Sequence, residues 1–193
     1  MKKVVKFGGS SLASAEQFKK VGEIIRADKE RKFVVPSAPG KRDADDAKVT
    51  DMLYACYGLA EEGKDFKAQL NEIKARYQEI IDGLALELSL EDEFRTIEEK
   101  FKEKAGDNYA ASRGEYLNGM AMYLGYEFVD AAEVISFGED GEFDSETTNK
   151  MLRERLKGVE AAVVPGFYGA YEDGTVKNFS RGGSDITGSI LAR

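Results

Sequence analysis

The sequence predicts an α/β protein built on a mainly parallel sheet, with a helical hairpin set against it. Three observations carry this reading. Short apolar runs at residues 4–7, 32–36 and 161–164 have strand character and end in turn residues. A single amphipathic helical pattern separates the first two runs. That is the pattern of a right-handed βαβ unit, which makes the two strands parallel neighbours. From Asp65 to Lys104, by contrast, the apolar spacing is helical throughout.

Taken in order, Val4-Val5-Lys6-Phe7 is the first strand, broken by Gly8-Gly9 and followed by Ser10-Ser11. Ser14 and Gln17 have capping-box spacing, and Phe18, Val21, Ile24 and Ile25 stripe a helix to about Lys29. Residues 32–36 form the second strand, closed by the Ser37-Ala38-Pro39-Gly40 turn. Ligands of such sheets bind beyond the carboxyl ends of the strands, where Gly8, Gly9 and Ser37 fall. Residues 41–48 are polar and aperiodic and read as a mobile loop; helical spacing resumes at Val49, Met52, Leu53, Cys56 and Leu59. In the hairpin, Phe66, Leu70, Ile73, Tyr77, Ile80 and Ile81 line one helix, and Leu90, Phe94, Ile97 and Phe101 the other. Glu and Lys cover the remaining faces, so the hairpin is expected to cover apolar surface rather than carry chemistry. Asp107 opens a helix running through Glu115 to Leu124, ended by Gly125. Residues 128–135 read as strand, Asp140-Gly141 as a turn, and Asp144 or Ser145 as the cap of a helix to Lys157. Ala161 to Val164 is an apolar strand, and Asp173-Gly174 marks the hairpin of an antiparallel pair.

Composition narrows the function. The chain carries 28 basic and 36 acidic residues, a net charge of −8. Nucleic acid is therefore not expected as a partner, since phosphodiester backbones need clustered positive charge. A small anionic substrate, needing only a few local cations, stays open. No window is apolar enough to span a bilayer and the short run before Gly8 is no signal peptide, so no membrane partner and a cytoplasmic location are expected. The single cysteine, Cys56, excludes an internal disulfide and reads as a small buried hydrophobe. With no histidine and one cysteine, no metal site is expected from protein ligands alone. Chemistry must run on Lys, Arg, Asp, Glu and backbone amides.

Those groups concentrate at two glycine-rich turns. At the first, glycines let backbone N–H groups approach an anion closely at a helix start, with Lys6 adding a full positive charge. An ordinary βα turn with a snorkelling lysine fits the same residues. Weight comes from the far end of the chain, where Ser180-Arg181-Gly182-Gly183-Ser184-Asp185 again opens a helix. Arg181 offers a planar fork for carboxylate or phosphate, and Asp185 could orient a lysine or hold a magnesium ion. A capped helix start with Arg181 solvated is the plain alternative.

Four blocks together resemble the aspartokinases of the amino-acid kinase family: Lys6 to Ser11, Val34 to Gly40, Arg113-Gly114-Glu115, and Gly166-Phe167 through Arg181 to Asp185. The likeness covers nearly the whole chain, with Pro36 standing where an apolar residue is more usual. The last block separates aspartokinases from kinases of uridylate, glutamate and acetylglutamate. The resemblance implies a three-layer α/β/α sandwich and ATP-dependent phosphorylation of the L-aspartate side chain, with ATP and Mg2+ as cofactors. The product would be 4-phospho-L-aspartate, the first intermediate toward lysine, threonine and methionine. It further implies Lys6 and Asp185 as catalytic residues, Asp185 organising Lys6. Lys6, Gly8, Gly9 and Ser10 would bind phosphate. Thr50 and Arg181 would hold the substrate carboxylates and Glu115 its amino group, with Ser184 in the same substrate-binding set. Glu115 taken without the resemblance reads as a helix-surface carboxylate. No general base is required, because a carboxylate of pKa about 4 is already ionised at neutral pH.

The sequence stops at Arg193 inside an apparent helix. The resemblance implies a nucleotide lobe and paired regulatory domains beyond it. Residues 1–193, with the helical insertion at about 65–105, are accordingly expected to be the substrate-binding lobe. Alone, it would have little or no activity and would expose apolar surface; the full-length enzyme would be a homo-oligomer. Two rival readings are a non-catalytic amino-acid-binding module and a kinase of the same fold acting on another small acid or nucleotide.

Overall fold

The computed structural model describes residues 2–122 and 125–193. In chain order the elements are β1 (Lys3–Phe7), α1 (Ala15–Arg26), β2 (Arg31–Pro36), α2 (Val49–Glu61), α3 (Lys67–Gly83), α4 (Glu91–Lys102), α5 (Asp107–Ala121), β3 (Glu127–Phe128), β4 (Ser136–Phe137), β5 (Phe143–Asp144), α6 (Ser145–Arg155), β6 (Ala162–Val163), β7 (Tyr168–Ala170), β8 (Val176–Asn178) and α7 (Gly183–Leu191).

Strands β1, β2, β6 and β3 form one sheet in that spatial order, and every pairing in it is parallel. Side-chain alternation then decides the layers. Val5, Phe7, Val34 and Val163 face one side, where they pack with Phe18, Val21 and Ile25 of α1. Phe33, Ala162 and Val164 face the other, against Leu152 of α6 and Ile190 and Leu191 of α7. Helices cover both faces, as a parallel sheet requires. Ser14 caps α1, its hydroxyl accepting from the Gln17 N–H at 3.4 Å.

A second, mixed sheet runs β5-β4-β7-β8, with β4 and β7 parallel and both outer pairs antiparallel. Its β7–β8 hairpin turns at Gly174 (φ 84°), and Asp173 Oδ1 accepts from the Thr175 N–H at 2.8 Å. Phe137, Phe143, Tyr171 and Phe179 pack on it as tilted and edge-on rings.

Several expectations are corrected. The strand expected over 128–135 is split: β3 ends at Phe128, and Asp130 caps a 3-10 turn at 131–133 by accepting from the Ala132 N–H at 3.0 Å. Val129, Val134 and Ile135 are all buried, so their apolar run carries no periodicity that would show the break. The helix expected to reach Leu124 ends at Ala121, and Leu124 lies outside the described residues. At the first glycine turn a 3-10 turn, Gly9–Leu12, precedes α1. Nor is the hairpin a mere cover. α3 and α4 join α2 and α5 around Leu53, Tyr57, Ile73, Tyr77, Ile97 and Phe101, making a helical core of their own. Cys56 lies inside it, fully buried, its thiol pushed up to about 12 by burial.

The two strand-end turns touch through glycine. The Gly40 N–H donates to the Gly9 carbonyl at 2.8 Å, and a Cβ on Gly40 would lie 2.7 Å from the Gly9 carbonyl carbon. Gly40→Ala is thus expected to cost about 1–3 kcal/mol by forcing backbone apart. Gly58→Ala in α2, where an added Cβ meets nothing within 4 Å, should instead stabilise by up to about 1 kcal/mol. Urea denaturation of both variants checks the pair of opposite signs.

Candidate functional site

The carboxyl ends of β1 and β2 and the start of α7 converge. Alternation along β1 turns Lys6 away from α1 and under Gly188 of α7. Its ammonium reaches the Asp185 carboxylate at 3.0 Å, with Asp185 in the first turn of α7. Beside this pair the Ser37 hydroxyl donates to Ser184 Oγ at 2.9 Å, tying the β2 turn to the same helix start. The approach is close because Gly166 lacks a side chain: a Cβ there would sit 2.7 Å from Ser184 Cα.

Next to these contacts lies a cleft of about 440 Å³ lined by Gly9, Ser10, Ser37, Lys41, Thr50 and Glu115, among others. Glu115 comes from α5 and is only 6% exposed, so the surface reading of this residue is wrong. Burial pushes its carboxyl up to about 8, against the opposing pull of the Ala38 backbone N–H and the Arg113 guanidinium. Glu115 Oε2 is buried without a hydrogen-bond partner. A buried acceptor left open at a cleft wall is suited to a cationic donor. One turn on, Asn118 donates from Nδ2 to the Ser37 carbonyl at 2.6 Å and so holds the residue that meets Ser184.

Larger hollows lie elsewhere. One sits at the opposite end of the parallel sheet around Lys32, Arg155 and Glu160, and another between the mixed sheet and α6. The first is occupied by ion pairs, Lys32 with Glu160 and Arg155 with Glu127. Neither receives the glycine turns. Among the described residues no group of three or more Cys, Asp or Glu side chains could hold a metal ion by itself.

A model of the amino acid kinase family matches residues 1–193. The chain belongs to the amino acid kinase family. Within it, the chain is similar to Aspartokinase 3 of Bacillus subtilis (strain 168), 39% identical over 98% of this chain. It is 30% identical to an aspartokinase of Chlamydia trachomatis serovar D over 97% of this chain. It spans 45% of the length of each of these relatives. The crystal structure of Clostridium acetobutylicum aspartate kinase superposes with a TM-score of 0.95 at 47% identity, covering 99% of this chain and 45% of that one. Aspartokinase III of E. coli, in complex with aspartate and ADP, shares the fold at a TM-score of 0.81 and 23% identity, covering 100% of this chain and 46% of that one.

In this member of the amino acid kinase family, then, Lys6 and Asp185 are paired, Ser184 beside Asp185 accepts from the Ser37 hydroxyl, and Gly9, Ser10, Thr50 and Glu115 share the cleft. Gly8 sits over the lysine, a Cβ there falling 3.8 Å from Lys6 Nζ. Arg181 stands apart: it is exposed, and among the described residues no ion pair holds it. Sequence reasoning missed Asn118, Lys41 and Lys48. The first shares a helix face with Glu115 at i,i+3 spacing, a signal that was there to be read. The two lysines bound the 41–48 run, read from its aperiodic polar sequence as a mobile loop.

Proposed function

We propose that this chain is the substrate-binding lobe of an ATP-dependent aspartokinase, transferring the γ-phosphoryl group of ATP to the side-chain carboxylate of L-aspartate. The observation carrying this is the open, buried Oε2 of Glu115 in a cleft that adjoins the Lys6–Asp185 pair, in a chain similar to named aspartokinases. An α-ammonium group would satisfy Glu115, while Thr50 and Arg181 would take the carboxylates.

The side-chain carboxylate is already ionised, so the difficulty is bringing it against a polyphosphate. Lys6 offsets that repulsion, and Asp185 keeps the ammonium fixed at the end of β1. Amides of Gly8, Gly9 and Ser10 would donate to phosphate oxygens. As the aspartate oxygen bonds to phosphorus, the bond to the bridging oxygen of ADP breaks, and ADP carries the electron pair away. No proton need move. Asp185, a carboxylate 71% exposed, would be the residue here to hold Mg2+, which would supply further charge neutralisation. The proposed enzyme is cytoplasmic and homo-oligomeric when complete, and the nucleotide would be held largely by parts outside residues 1–193.

Calorimetry of the 193-residue chain against L-aspartate, L-glutamate and uridylate tests the assignment. Aspartate alone should bind, weakly, and a hydroxamate assay for aspartyl phosphate should find little or no turnover without the missing lobe. Preference for glutamate or uridylate would overturn the substrate.

A further inference from the structure

Arg76 lies on α3, in the helical hairpin, and is 3% exposed. Its Nη2 donates to the Gly40 carbonyl at 2.7 Å and to the Ala13 carbonyl at 3.2 Å, and its Nη1 pairs with the Asp46 carboxylate. Asp46 also accepts from the Arg42 backbone N–H at 2.8 Å and from the Arg42 guanidinium at 3.0 Å. Arg42 first, and then Arg76, hold its carboxyl well below the usual range, despite burial.

The three partners of Arg76 belong to three different stretches. Ala13 ends the 3-10 turn that follows Gly8, Gly40 ends the β2 turn and rests on the Gly9 backbone, and Asp46 sits in the loop leading to Lys48 and Thr50. Gly9, Gly40 and Thr50 all line the cleft. A single planar fork therefore joins the three segments from which the cleft wall is made. Stability alone does not ask for this. A buried ion pair is commonly matched or bettered by an apolar side chain of similar volume, and Arg76 Nε is left buried without a partner. What the arginine supplies is relative placement of three loops.

We infer that Arg76 is a positioning residue for the cleft, holding the glycine turn, the Ser37–Gly40 turn and the Thr50 loop in register from behind. This rests on the aspartokinase reading only for its kinetic consequence. The loop 41–48, expected to be mobile, is on this view tethered to the hairpin.

The test compares Arg76→Met, Arg76→Lys and Asp46→Asn. In the 193-residue chain, Arg76→Met should speed hydrogen exchange at residues 9–13 and 41–48 by about tenfold or more, with the α2–α5 core unchanged. In the complete enzyme it should lower kcat/KM for aspartate about a hundredfold, the scale of a small misplacement of reacting groups. Lysine, which can serve one or two of the acceptors, should restore part of this loss. Folded Arg76→Met with parental exchange and kinetics would overturn the inference. Should that variant not fold, Asp46→Asn decides. It weakens the Arg76 tie to loop 41–48 and the Arg42–Asp46 contact within that loop, while leaving the Ala13 and Gly40 bonds of Arg76 in place. Exchange at 41–48 but not at 9–13 should therefore rise, and KM for aspartate with it; an unchanged KM or unchanged exchange at 41–48 would refute the clamp. A parent enzyme without aspartate affinity would refute the functional reading instead, and the exchange data would still judge the clamp.

Discussion

Lys6→Ala is expected to lower kcat/KM for aspartyl phosphate formation by the complete enzyme about a thousandfold, the upper range for losing one preorganised charge at a reacting centre. The same change should hardly alter stability. Lys6 is 28% exposed and Asp185 71%, and an ion pair that open to solvent contributes under about 1 kcal/mol. The two measurements together are diagnostic: a hydroxamate assay for turnover, and thermal melting for the fold. A purely structural lysine would lower the melting temperature and spare the chemistry. Turnover within tenfold of the parent, in a folded variant, would return Lys6 to the role of a snorkelling strand-end residue. It would also favour a binding module over a kinase.

Glu115→Gln should make the chain more stable at alkaline pH and nearly neutral in effect near pH 5. The carboxyl has an ordinary value of 4.5 and is raised to about 8 in the folded chain, chiefly by burial. Between those values the folded chain keeps a proton that the unfolded chain has released, so stability falls as pH rises through this window. The favourable contribution is whole below 4.5 and gone above about 8. A difference of this size corresponds to a few kcal/mol, taken as an order of magnitude. Melting curves of parent and variant should diverge steadily from pH 5 to about 8 and run parallel above it; a constant offset across the whole range would show that Glu115 does not titrate there. Aspartate binding supplies a second reading of the same group. An ammonium beside Oε2 favours the ionised form, so binding at pH 7 should release close to one proton. Calorimetry in buffers of different ionisation enthalpy measures it, and Glu115→Gln should abolish both the release and most of the affinity.

What could be read from the residues was local. Ser14 with Gln17, the Asp173-Gly174 hairpin and the βαβ unit of β1, α1 and β2 all depend on neighbours in sequence, and all are found where expected. The Lys6–Asp185 contact was expected from two similar glycine turns at opposite ends of the chain together with the family resemblance, which implies that Asp185 organises Lys6. Other features depend on tertiary context. Asp130 breaks an apolar run by turning its side chain onto the backbone, and period-two counting does not register that. Arg76, set in Lys74-Ala75-Arg76-Tyr77, looks like one more charge on an amphipathic helix. Its burial follows from where α3 crosses the loops. Glu115 has no local sign of burial either; α5 is covered by neighbours on most sides, so polar and apolar positions alike are inside.

The Lys6–Asp185 pair also orders events during synthesis. A nascent chain that has emerged through β6 already holds the parallel strands and the α1 layer, yet Lys6 faces an open groove until α7 clears the ribosome and docks. Contacts of such long sequence separation carry a large loop-closure cost. Within residues 1–193 the Lys6 corner therefore closes only after α7 has emerged, and a chain cut shortly before Gly183 would lack both the Asp185 partner of Lys6 and the Ile190 and Leu191 cover of the parallel sheet.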